Sequence, residues 1–151
     1  MSYVKNIRKK IGHDPLILVG SNVIIENKGK VLLQKRSNGN WGLPGGLMEL
    51  GETLENTARR EVFEETNLHI SNLKLINLYS GKDYVFTLDN NDQINVVTAV
   101  YHTNQFKGVL NGNNEETLDL KFVDPKKLPP NTEKEYVTYI NHFINEVQKY
   151  D

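Results

Sequence analysis

Three glutamates, Glu61, Glu64 and Glu65, fall within five residues of a stretch, Thr53 to Thr66, that reads as a helix. At about 100° per residue, Glu61 and Glu65 project within about 60° of Leu54 and Ala58, and Glu64 lies roughly 80° round from Leu54 on the same flank. Leu54 and Ala58 are the apolar residues that must face a sheet, so the carboxylates crowd the edge of the buried face. Like charges in that position repel and lose hydration unless something positive joins them. The chain has no cysteine, and no histidine shares that face. Oxygen donors alone point to a hard divalent cation, Mg²⁺ or Mn²⁺.

The segment upstream suits such a site. In Trp41-Gly-Leu-Pro-Gly-Gly46, the Gly45-Gly46 pair allows close backbone approach and can offer a carbonyl oxygen to a metal. Arg60 cannot be a ligand. Its planar fork is suited to clamp a carboxylate, and Glu52 at the head of the helix is the candidate.

These residues need a scaffold. Leu16 to Val19 and Val23 to Glu26 are strand-like, Asn27 to Gly29 is a turn, and Val31 to Lys35 returns. The glycine- and proline-rich segment from Trp41 to Gly46 reads as irregular. The helix that follows has Thr53 as N-cap and Asn67 as a left-handed terminus. Strands are expected at Leu73 to Ser80, Tyr84 to Leu88 and Ile94 to His102, the last two joined by a turn at Asn90 to Asp92. A loop from Gly108 to Asn114 leads to a strand at Leu118 to Val123. After Pro129-Pro130, Thr132 to Glu135 reads as a capping box for a helix over 132–149 with Val137, Ile140, Phe143, Ile144 and Val147 on one stripe. Residues 1–12 read as a short amphipathic helix, with Val4, Ile7 and Ile11 on one side and Lys5, Arg8, Lys9 and Lys10 clustered. Mixed strands between helices give an α/β class, an α/β/α sandwich in a single domain over 1–151.

Composition narrows the function classes. At 151 residues, with 25% charged residues and a net charge of -1, nothing global marks a nucleic-acid binder. No apolar run approaches the ~20 residues needed to span a bilayer, and the basic N-terminus lacks a secretory apolar core. A cytoplasmic protein is the expectation, and the amphipathic N-terminal segment leaves a homodimer open.

The spacing also carries a resemblance. Gly46, five residues, Glu52, seven residues, then Arg60-Glu61-Val62-Phe63-Glu64-Glu65-Thr66-Asn67-Leu68 resembles the signature box of the Nudix hydrolases. Asn67 stands where that pattern has glycine, and asparagine is the next-best residue for a left-handed terminus. The resemblance implies a Nudix-type sandwich and a metal-dependent pyrophosphohydrolase cleaving a diphosphate linkage in a nucleoside diphosphate derivative. A nucleoside triphosphate, a dinucleoside polyphosphate and an ADP-ribose type of substrate all stay open. It implies that Glu61, Glu64 and Glu65 bind Mg²⁺ or Mn²⁺ with help from the Gly45 carbonyl. Gly46, Glu52 and Arg60 would support the site. The proton acceptor is either Glu61 or a distal glutamate, Glu115 or Glu116, with Glu116 favoured. The alternative is a nucleotide-binding sensor or scaffold without catalysis. A cysteine-dependent isomerase is excluded.

Outside the box, Arg36 can meet a substrate phosphate or stand as an ordinary edge-strand residue. Trp41 can stack on a base or pack against the sheet. Tyr84, 16 residues beyond the box, resembles a tyrosine of dinucleoside polyphosphate hydrolases. His13, His69, His102 and His142 are scattered and read as structural.

Overall fold

The computed structural model describes residues 2–112 and 114–149, so Met1, Asn113, Tyr150 and Asp151 of the segments and loop named above lie outside the described residues. A sheet of mixed parallel and antiparallel strands forms the scaffold. Its centre is the parallel pairing of β1 (Leu16–Asn27) with β8 (Gln93–Thr103). β2 (Lys30–Arg36) returns antiparallel from β1 and carries β10 (Thr117–Val123) on its other side. β6 (Lys74–Tyr79) pairs with β8 at the opposite edge. The strand expected from Tyr84 is shorter: Tyr84 ends a 3-10 turn, and β7 is Val85–Thr87.

Period-two alternation sorts side chains to the two faces. Val23, Ile25 and Leu32 pack with Ala58 and Val62 of α2 (Leu54–Thr66). Ile24, Val31 and Leu33 pack with Tyr139, Ile140 and Phe143 of α3 (Lys134–Lys149). The sheet is therefore covered on both faces, as the α/β/α reading required.

Four short strands went unseen in the sequence. The glycine-rich segment is not irregular: β3 (Trp41–Gly42) pairs with β2, and β4 (Gly45–Leu47) pairs with β1. β5 (His69–Ser71) and β9 (Gln105–Lys107) form a separate ribbon. Two expectations at the C-terminal helix are corrected. Thr132 does not open a capping box: its hydroxyl donates to the Pro129 carbonyl at 2.8 Å, its backbone pairs with Trp41, and the helix begins at Lys134. The buried stripe includes Tyr139, whereas Val147 is 41% exposed.

α1 (Tyr3–Ile11) is present and capped by the Ser2 side chain. Its basic cluster is partly structural: Arg8 donates to the carbonyls of Gly12, Asp14 and Gln93. No described helix is long and apolar enough to cross a membrane.

Candidate active site

Helix α2 is set by local chemistry at both ends. The Thr53 side chain accepts the Asn56 amide at 3.0 Å, and Asn67 closes the helix at φ 66°. Ser21 of β1 donates to the Leu54 carbonyl at 2.8 Å, pinning the first turn to the sheet. β4 lies alongside.

Arg60 joins loop to helix. Its Nε donates to Glu52 at 2.7 Å and its Nη2 to the second Glu52 oxygen at 2.9 Å, a bidentate clamp. The same fork reaches the Leu47 carbonyl at 3.0 Å and Glu61 at 2.8 Å. The clamp, helped by the Glu49 amide and the Thr57 hydroxyl, holds the Glu52 carboxyl down at about 2.

Glu65 is 2% exposed. The Gly45 amide donates to it at 2.9 Å, and Arg36 Nη1 stands 3.9 Å away. Burial nevertheless pushes its pKa up to about 7. Glu61 is also raised, by burial first, against the opposing pull of Arg60. Gly45 sits at φ +151°, and a Cβ there would meet the Ser21 carbonyl oxygen at 2.1 Å. A Cβ on Gly46 would lie 2.3 Å from the Glu61 carboxyl carbon. Gly45 thus lets β4 close on β1, and Gly46 leaves the space into which the Glu61 carboxylate fits.

Carboxylate oxygens of Glu61, Glu65 and Glu116 converge within 4.8 Å of one another. Glu116 arrives from the turn before β10, more than fifty positions along the chain. Glu64 is outside this triangle, 54% exposed with its oxygen 3.5 Å from Arg60. Three carboxylates, one of them deeply buried, form an all-oxygen set that fits a hard divalent cation.

The arrangement narrows the kind of protein this is. A profile of the NUDIX domain matches residues 18–143. The chain belongs to the Nudix family. Among Nudix relatives, the ADP-ribose pyrophosphatase of Methanocaldococcus jannaschii is 34% identical over 70% of this chain and 61% of its own length. The putative 8-oxo-dGTP diphosphatase of Bacillus subtilis is 30% identical over 85% of this chain and 81% of its own length. The NAD-capped RNA hydrolase NudC of Vibrio parahaemolyticus is 28% identical over 78% and 43%. The chain thus spans less than two thirds of the first and third. Among solved Nudix structures, the MutT hydrolase of Burkholderia pseudomallei superposes with a TM-score of 0.73 at 23% identity, covering 84% of this chain and 98% of that one. The Nudix domain of Shewanella oneidensis NrtR, solved with ADP-ribose, gives 0.67 at 20% identity, over 97% and 99%.

A cavity of about 450 Å³ borders the site and shares Gly45, Gly46 and Arg36 with it. Phe86, Tyr136, Tyr139 and Glu133 complete much of its wall, and sequence reasoning missed all four. The i, i+3 spacing of Tyr136 and Tyr139 was the available signal. Arg36 is no edge residue, since β2 lies between β1 and β10. It donates to the Leu43 carbonyl at 2.9 Å, and its guanidinium lies 5.7 Å from the Tyr136 ring centroid. Burial alone would favour its neutral form, but Tyr136 and Glu65 more than offset that.

Two expected substrate contacts are placed elsewhere. Trp41 is buried with Leu43 and Ile140 in the core, and Tyr84 packs on Tyr79 and Tyr139. Neither lines the cavity. The histidines serve packing and surface bonds, as with His102 on Glu26 at 2.8 Å and His142 on Tyr79 at 2.7 Å.

Proposed function

We propose that this Nudix chain hydrolyses the diphosphate linkage of a nucleoside diphosphate derivative with Mg²⁺ or Mn²⁺. The observation that carries this reading is the convergence of Glu61, Glu65 and Glu116 within 4.8 Å beside the cavity. Glu61 and Glu65 would hold the cation from the buried side, with the Gly45 carbonyl beside them and Glu64 adding a carboxylate from the exposed flank. A divalent cation bound there neutralises phosphate oxygens and lowers the pKa of a water molecule. Glu116, exposed on its turn, would reach the same cation and take the proton from the attacking water, and Glu61 is the alternative acceptor. Arg36 offers a guanidinium where the cavity meets the carboxylates, and the aromatic cavity takes the remaining moiety. The names of the ADP-ribose and 8-oxo-dGTP relatives support a nucleotide.

The test is a chromatographic screen of nucleoside triphosphates, dinucleoside polyphosphates and ADP-ribose with either metal, beside Glu61→Gln, Glu64→Gln and Glu65→Gln. Cleavage of a diphosphate by the wild type is expected, with losses of about a hundredfold or more at Glu61 and Glu65. Binding without cleavage of any of these compounds would overturn the hydrolase reading in favour of a sensor. Full activity in a variant removes that carboxylate from the set.

A further inference from the structure

Glu116 and the glutamate helix are joined by more than the site. The last carbonyls of a helix lack internal partners, and here the segment before β10 supplies them. The Asn111 amide donates to the Thr66 carbonyl at 3.0 Å. Asn114 Nδ2 lies 3.3 Å from the carbonyls of both Glu64 and Glu65, and Asn114 Oδ1 accepts the Glu116 amide at 3.1 Å. One bond runs the other way, from helix to loop: Asn67 Nδ2 donates to the Val109 carbonyl at 2.9 Å. Asn67 stands where the family pattern has glycine, and glycine has no side-chain amide to give.

From this geometry we infer that Asn67 is a positioning residue for Glu116. Its backbone ends the helix at φ 66°, and its side chain fixes the start of the loop that brings Glu116 to Glu61 and Glu65. The inference rests on the proposed role of Glu116. A loop with free ends spreads its tip over many arrangements, and a tether at its root narrows them.

Asn67→Gly keeps the left-handed cap and deletes only the tether. Measured on the full chain, it should leave the thermal midpoint within about 3 °C. Turnover of a substrate found in the screen, and affinity for Mn²⁺ alone by electron paramagnetic resonance, should each fall about three- to tenfold. The deciding comparison is the same substitution in Glu116→Gln, where it should have no further effect because there is no carboxylate left to place. Equal losses in both backgrounds, or no loss while Glu116→Gln alone is impaired, overturn the positioning role. If Glu116→Gln itself keeps full turnover and Mn²⁺ affinity, the reading of Glu116 fails and the inference falls with it.

Discussion

Gly46 faces the Glu61 carboxyl across a gap that admits no side chain, since a Cβ would sit 2.3 Å from its carbon. Gly46→Ala must therefore displace Glu61 or bend β4. Glu61 moves more easily, because β4 is held in register by Gly20, Ser21 and Asn22 of β1. The expected outcome is a loss of Mn²⁺ affinity of at least about tenfold with unchanged circular dichroism, and retained affinity would show that Glu61 is not a ligand. At this scale the sequence was informative where spacing along one helix decides placement: Glu61 and Glu65 were legible because 3.6-residue periodicity puts them beside Ala58. It was less informative about Glu64, which points out to 54% exposure beside Arg60. Glu116 could be singled out only through the family resemblance, because its approach depends on how β10 pairs with β2.

Between elements, the Glu52–Arg60 clamp holds the turn after β4 against α2. With its folded pKa near 2, below the ordinary 4.5, Glu52 contributes stability that is present in full above about pH 4.5. That contribution is lost as pH falls toward 2. Glu52→Gln should cost about 2 kcal/mol at neutral pH. In urea titrations its deficit against the wild type should shrink through that acid window, and a deficit independent of pH would remove the ion pair as the cause. Both ends of α2 were readable because Thr53 and Asn67 act on their own neighbouring backbone. Thr132 misled for the opposite reason: its backbone pairs with Trp41, a contact made ninety positions away. β3 and β4 were hidden likewise, for two or three residues become strands only when β2 and β1 receive them.

For the whole molecule, the sheet separates two tasks. α2 and the carboxylates pack on one face, while α3 packs on the other and lends Tyr136 and Tyr139 to the cavity. The cavity wall was illegible in sequence because β7, β8 and α3 meet there only through the fold. Ile140 is fully buried in the α3 layer and absent from the α2 layer. Truncating it to alanine should cost about 2–5 kcal/mol and, by loosening the neighbouring tyrosines, raise the KM of whichever substrate the screen identifies. The divalent-cation affinity should stay within about twofold, because Arg36, which touches Tyr136, reaches Glu65 only at 3.9 Å, and weakly linked sites add nearly independently. Denaturant titration, steady-state kinetics and Mn²⁺ binding on the one variant test this together. A parallel fall in cation affinity would mean that the carboxylate site depends on the α3 layer, and the division of labour across the sheet would be wrong.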